Sequence, residues 1–481
     1  MGPRRDDRPG LAPLFRDMAA TCGRLDAPTY ADLAAFVADQ VESYGPLLHV
    51  LEPYADARIG DMVPLRFFAA VQRLVLERKA PELALFYATL GGTPPATPAA
   101  RAACRAALVD TVASHQREIS DGLRWFPQTN EVGRTAALVA ILREVGACWG
   151  LPLRLHEIGA SAGLALRADA LVEGGVVPVE HADAGPVPAV VERAGCDVAP
   201  IDPATQEGRT LLTSFIWPDH VDRFERLRAA LAVAADVPAA LASEDALAYV
   251  RSLRLTPGTV LVVWHSAMWL YLPPEERREI ELVLSELGAA ATAESPLVHI
   301  ALEPVSEIAG DQHVFHLQVT SWPGLPEVPA GMTVTRATTM PSGLPVSWAV
   351  PCVGAVVHDE SGRLLLIQRG REPAKGMWSV PGGRVHAGEA FVDAVAREVA
   401  EETGLVVTVG DMVGSVVRNA PNGSTYDIRD FRAYVEGSPR PVAGDDADDA
   451  RWVGRAEFRE LPTSPGLLEA LEEWGVLPTA P

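Results

Sequence analysis

The sequence has no C-x-x-C pair. Its five cysteines, Cys22, Cys104, Cys148, Cys196 and Cys352, are scattered and odd in number. That excludes a disulfide framework and a thiolate zinc site, and a reducing, cytoplasmic setting is expected. No window approaches eighteen uninterrupted apolar residues, so no membrane span is expected. The opening residues, MGPRRDDRPGLAPLF, carry charge with no apolar run behind it, unlike a signal peptide. Positive charge is also short. Lys and Arg number 41 against 63 Asp and Glu, a net charge of −22. A surface this acidic repels phosphate backbones, so nucleic acid is not an expected partner. A small phosphorylated ligand stays compatible where a metal or a local arginine neutralises it.

What is present is enough apolar sequence for separate cores. The 481 residues are 48% hydrophobic and 22% charged, a soluble globular composition for two or three domains. Residues 1–135 read as a helical region: TYADLAAFVADQV and PLRFFAAVQRLVLERKA place apolar residues three and four apart. Residues 136–345 alternate strands with helices. LPLRLHEIG, VPAVVERAGCD, TPGTVLVVWHS and SPLVHIALEP are the strands, and the alternation predicts a parallel, Rossmann-like sheet covered by helices. TTMPSGLPVSW marks a boundary. Residues 346–481 then predict an α+β domain with a mixed sheet. AVPCVGAVVHDESGRLLLIQRG reads as a hairpin about DESG, and NAPNG separates a second pair of strands. The expected fold is therefore multidomain α/β.

One short stretch is electrostatically odd. REVAEETGL, residues 397–405, ends a helix that the pattern predicts to start near Gly388-Glu389 and to stop at Gly404. With about 100° per residue, Val392, Val395 and Val399 should face the sheet. Glu398, Glu401 and Glu402 crowd a neighbouring face, with Arg397 beside them. Like charges four apart repel by a few tenths of a kcal/mol, and the helix dipole opposes acids in the last turn. A divalent cation would offset both, and magnesium favours carboxylate oxygens with water and phosphate. Taken alone, REVAEE is equally a solvated acidic face.

The residues upstream widen the pattern. GGRVHAGEAFVDAVAREVAEETGL carries Gly383, Glu389, Arg397, Glu398, Val399, Glu401, Glu402, Gly404 and Leu405 at the spacing of the Nudix box, which it resembles at every defined position. The resemblance implies hydrolysis of a nucleoside diphosphate linked to another group, with Mg2+ or Mn2+. It implies metal contacts at Glu398, Glu401, Glu402 and the Gly383 carbonyl. It also implies a base among these acids or on a later loop, and a Glu389–Arg397 pair that orients them. Asp446, in GDDADDA, is the candidate loop acid, although the same residues suit a solvated turn. Arg369, Arg371, Arg384 and Trp378 are candidates to meet phosphate or base, and Pro421 follows the box where some ADP-ribose-cleaving members carry proline. PNG is also an ordinary turn.

LHEIGASAGLAL invites a second reading. A strand, a small-residue turn and a helix can hold a nucleotide or adenosyl cofactor at a sheet edge. The segment resembles the first motif of class I S-adenosylmethionine-dependent methyltransferases, with Glu157, Gly159 and Gly163, but Ser161 replaces the middle glycine. The resemblance implies a ribose contact at Asp197, which lies further along than usual, and an adenine contact near Asp245; His265 follows the fourth strand. The span from about residue 10 to 345 also resembles a bacterial family of unknown function, through PQTNEVGR, EIGASAGL, CDVAPID and WHSAMWLYLPP. Gln128, Asn130, Glu131, Arg134 and His265 are its polar residues, suited equally to ligand contact or to helix capping. The expected activity is pyrophosphohydrolysis of a small nucleotide by the last region. Two alternatives stand beside it: methyl transfer by the middle region, and nucleotide sensing without turnover. The oligomeric state is not legible.

Overall fold

The computed structural model describes residues 10–178, 185–304, 314–325, 328, 330–339, 343–344, 346–371, 374–386, 389–419, 425–444 and 447–480. By internal contacts the chain forms two units. One is Met1–Leu297 with Ser342–Leu344, the other Val298–Pro341 with Pro345–Pro481. Among the described residues no helix is long and apolar enough to cross a membrane.

The first unit begins as the helices the periodicity predicts. Pro28–Glu42 starts on a proline, whose fixed φ suits a first helical residue. Leu33, Ala34, Val37 and Ala38 then share its buried face. Tyr30 lies against Phe68 with ring centroids 4.5 Å apart, and Phe15 meets Phe67 edge-on at 5.8 Å. Helix Thr135–Trp149 ends on left-handed Gly150 and releases the chain into the sheet. Strands β1 (Leu153–Ile158), β2 (Val190–Asp197), β3 (Ala240–Ser243) and β4 (Val260–Ser266) stand in the order β4-β1-β2-β3, all parallel. Three of the four are legible. The exception, β3, is four residues of ALAS at an edge, too short for a period.

The second unit opens one residue into β5 (Leu297–Pro304) and continues with β6 (Phe315–Trp322) and β7 (Val334–Thr339). Strand β8 (Val346–His358) is long enough to serve two neighbourhoods. Its first residues pair antiparallel with β7, and from Ala349 onward it runs parallel to β13 (Thr425–Tyr434). Strands β9 (Leu364–Arg369), β10 (Trp378–Ser379), β11 (Gly382–Arg384), β12 (Thr408–Asn419) and β14 (Ala447–Val453) complete a mixed sheet. Alternation along β8 divides the core. Val353, Ala355 and Val357 face helix Phe391–Thr403, whereas Val356 joins Leu366, Trp378 and Leu471 on the other side.

The DESG turn closes as expected. Gly362 takes a left-handed φ of 82° and donates its N–H to the Asp359 carbonyl. The Asp359 carboxylate accepts the Ser361 N–H and hydroxyl, and the Arg363 N–H and guanidinium. Burial alone would raise this acid, but those donors outweigh it and hold it at about 2, below its ordinary 3.8. A depressed acid contributes stability above its unfolded pKa and loses it as pH falls through the folded value. Asp359→Asn should therefore lower stability at neutral pH and flatten its decline between about pH 4 and 2. Urea titrations at both ends of that window check this, and parallel pH profiles for the two proteins would refute it.

Candidate functional site

The acidic helix starts at Phe391, slightly later than the pattern suggests, because Glu389 is folded back to accept the His386 N–H at 2.9 Å. It ends at Thr403, with Gly404 left-handed as expected. The buried face is Phe391, Ala394, Val395 and Val399. Val392 is 44% exposed, a correction to its expected place on the sheet side. It lies one residue, or about 100°, round from Phe391.

Each of the three acids has its own answer to the crowding. Arg397 grips Glu389 with two hydrogen bonds, Nε to Oε1 at 2.8 Å and Nη2 to Oε2 at 2.9 Å. Its Nη1 donates to Glu398 at 2.7 Å and to Glu401 at 3.0 Å, and its Nη2 also reaches the Arg384 carbonyl. Glu402 is buried and accepts the Gly382 N–H at 2.8 Å. The helix's negative end is capped from outside, where Val442 donates to the Thr403 carbonyl and Gly444 to the Glu402 carbonyl. The Glu398 carboxylate lies against bare Gly383, where a Cβ would collide with it.

These contacts separate the acids in pKa. Arg397 holds Glu389 at about 2, against the opposing effect of partial burial. Burial raises Glu398, Arg397 pulls it back, and neighbouring Glu401 adds to the rise. Arg397 itself is raised by Glu389 first, and then by Glu398 and Glu401.

Among the described residues no three ligating groups already converge. Yet Glu398 and Glu401 both accept from one atom, Nη1 of Arg397, which holds the two carboxylates close together. The donor set is hard oxygen throughout, as magnesium or manganese requires. The residues fit.

The other expected site residues scatter. Trp378 is 3% exposed in the second core, with the Arg451 guanidinium 4.1 Å from its ring centroid. It is a packing residue, a correction that follows from its place on short β10, paired with β9 and facing the second core. Arg384 is exposed and donates to the Tyr426 hydroxyl at 3.2 Å. Arg369 is half-buried at the end of β9 and Arg371 is exposed. Asp446 and Pro421 lie outside the described residues.

In the first unit the Gly-rich turn forms, with Gly159, Ser161 and Gly163 all at positive φ. Asp197 is already engaged there. Its carboxylate accepts the N–H of Ser161 at 2.8 Å, the N–H of Ala199 at 2.9 Å, and the Gln128 amide at 3.4 Å. The carboxylate expected to meet a ribose thus braces the turn. Asp245 caps helix Ala246–Ser252 through the Ala248 N–H. Asn130 donates to the Ala160 carbonyl, Glu131 accepts from Arg223, and buried His265 stacks on Trp269 at 4.0 Å. Met268 covers Gly159. Glu157 is buried, which pushes its carboxyl up to about 8.

A residue that sequence reasoning missed is Gly382, whose N–H fixes Glu402. Its place beside Gly383 was the available signal.

Comparison with known proteins gives two family matches. A family described as "Uncharacterized protein conserved in bacteria (DUF2332)" matches residues 12–348, and one described as "NUDIX domain" matches residues 349–474. An ADP-ribose pyrophosphatase of Methanocaldococcus jannaschii is 36% identical over 108 residues, 22% of this chain and 61% of that protein. The chain thus spans about three fifths of that relative's length. A putative 8-oxo-dGTP diphosphatase 2 of Mycobacterium tuberculosis is 42% identical over 120 residues, 23% of this chain and 77% of that protein. A solved MutT protein from Methanosarcina mazei Go1 is 26% identical, covering 27% of this chain and 94% of its own, with a TM-score of 0.25.

Proposed function

We propose, for a chain that belongs to the bacterial DUF2332 family over residues 12–348 and ends in a Nudix domain, that this last domain hydrolyses the pyrophosphate bond of a nucleoside diphosphate joined to a second group. The observation that carries the reading is the convergence of Glu398 and Glu401 on one cationic atom, beside a glycine strand and a paired Glu389–Arg397. Such a cradle suits a substrate whose reacting oxygens are already anionic. Glu398 and Glu401 would hold the divalent cation, with Glu402 and the Gly383 carbonyl as the further oxygens. The cation supplies charge that screens the phosphates and makes water a better nucleophile.

The chain's own residues supply position and a proton acceptor. Arg397, anchored by Glu389, fixes the directions of Glu398 and Glu401, and a pre-set geometry lowers the barrier without reorganisation. Burial raises Glu398 while Glu401 stays largely in solvent. Glu398 is thus the acid better suited to accept a proton from water. The two matched relatives are named for ADP-ribose and for 8-oxo-dGTP, so the substrate class proposed is a purine nucleotide carrying a pyrophosphate.

The test is a hydrolysis panel on the full chain: ADP-ribose, 8-oxo-dGTP and the four ordinary nucleoside triphosphates, each with magnesium and with manganese. Release of a nucleoside monophosphate, dependent on metal, is the expected outcome. Folded protein inert toward the whole panel with both metals would sink the reading.

A further inference from the structure

The sheet of the second unit carries the acids on one face only. The opposite face resolves into rows, because paired residues on neighbouring strands project to the same side. Gly382 on β11 opposes Gly354 on β8, Gly354 opposes Asp430 on β13, and Asp430 opposes Gly414 on β12. One carboxyl therefore stands in a row of glycines that crosses four strands. The next row outward contains Arg384, Cys352 and Ile428, and the one beyond it Tyr426 and Arg418.

This face is a shelf with a closed end and an open rim. Ile428 and Tyr426 are half-buried, and Arg384 and Arg418 are exposed. The Arg384 guanidinium lies 5.7 Å from the Tyr426 ring centroid. Asp430, at the closed end, is 4% exposed. Its carboxyl lies over Gly354, in the space a Cβ there would need, and the Trp474 ring covers Gly414 beside it. The shelf and the acids share a wall. On β11, Gly383 meets Glu398 while Gly382 and Arg384 belong to the shelf, and the Arg384 carbonyl holds Arg397.

A buried acid in such a place is costly without hydrogen bonds. Burial pushes Asp430 up to about 7, and Arg418 draws it back. Two N–H donors arriving side by side would satisfy it as a carboxylate. Guanine presents such a pair, N1–H and N2–H, on one edge. Adenine, cytosine and uracil set a donor beside an acceptor there. We propose that Asp430 selects a guanine-type base lying on the shelf of Cys352 and Ile428, with its N–H edge against the carboxylate and its phosphates passing Arg384 toward Glu398. The proposal rests on the nucleotide reading above and narrows it to one base.

The experiment is calorimetric titration of the full chain with GMP, AMP, CMP and UMP, which needs no turnover. At pH 8 the wild type should bind GMP on the order of tenfold more tightly than the others. Asp430→Asn, which replaces one acceptor by a donor, should bring all four within about threefold. The preference should weaken as pH falls through about 7, because protonated Asp430 loses an acceptor, and the asparagine variant should show no such slope. Among the described residues, the titratable groups on this face of the neighbouring strands are Cys352 on β8, whose thiol burial pushes up to about 12, Arg384 on β11, Arg418 on β12 and Tyr426 on the same strand as Asp430. A second variant, Ile428→Trp, fills the half-open shelf and should abolish GMP binding with the fold retained by circular dichroism. Equal binding of the four nucleotides by wild type overturns the proposal. So does an undiminished GMP preference in Asp430→Asn, or intact GMP binding in Ile428→Trp. Failure of the hydrolysis panel alongside a GMP preference that Asp430→Asn removes would sink the enzymatic reading alone.

Discussion

Glu401→Gln is expected to lower metal-dependent turnover by about 10²–10³-fold and to leave the melting temperature essentially unchanged. The carboxamide keeps the shape of the side chain and removes one of the two charges that converge on Arg397 Nη1. The side chain is 58% exposed, so no core packing is disturbed. The ion pair lost with Arg397 is of the exposed kind, worth about 1 kcal/mol or less. Initial rates across a magnesium titration check this, with thermal denaturation as the control. Wild-type turnover at saturating metal would remove Glu401 from the cradle. Glu402→Gln should differ, because Glu402 is buried and carries the Gly382 N–H. There the loss of charge should cost both activity and about 1 kcal/mol of stability.

Arg429→Leu is expected to be the most destabilising of the changes considered, by about 3–5 kcal/mol. Arg429 is 1% exposed and Asp427 4%. The guanidinium donates to Asp427 Oδ2 from Nε at 3.2 Å and from Nη2 at 3.0 Å, and its carbon lies 4.0 Å from the Phe391 ring centroid. Removing it leaves a buried carboxylate short of its main partner and strips the ring that begins the acidic helix. Burial already raises Asp427, with Arg429 and then Arg336 pulling it down, so the remaining attraction from Arg336 favours the lower end of that range. Adding Asp427→Asn to Arg429→Leu should recover part of the loss, because no buried charge is then abandoned. Urea unfolding of the full chain, followed by loss of hydrolysis, measures both. A change below about 1 kcal/mol in the single variant would show that the pair is replaceable.

The parts legible in advance are those governed by neighbours along the chain. Arg397, Glu398, Glu401 and Glu402 fall within two turns of one helix, so their grouping follows from 3.6 residues per turn. Gly404 as a left-handed cap and Gly362 in the DESG turn follow from glycine's freedom at positive φ. The alternation of Val353, Ala355 and Val357 with Val356 marks β8 as a strand buried on two sides. What escaped were elements with weak local pattern, such as β3, and roles set by distant partners. Asp197 is one such residue, at the end of β2. Its actual partners, Ser161 and Gln128, come from other segments. Trp378 looked available to a substrate, and packing beneath Arg451 decides otherwise.

The sequence by itself determined the grouping of charged residues in the last domain. Its acids, its arginine and its glycines lie within a stretch where helix geometry alone brings them together. Only the tertiary structure decided how those charges are satisfied, with Glu402 tied to Gly382 and Glu398 seated on Gly383. It also decided that Asp430 shares a row with Gly382, Gly354 and Gly414. Strand register brings those residues together from positions 48 apart between Gly382 and Asp430. A register is chosen by the packing of whole faces, so no local period announces it.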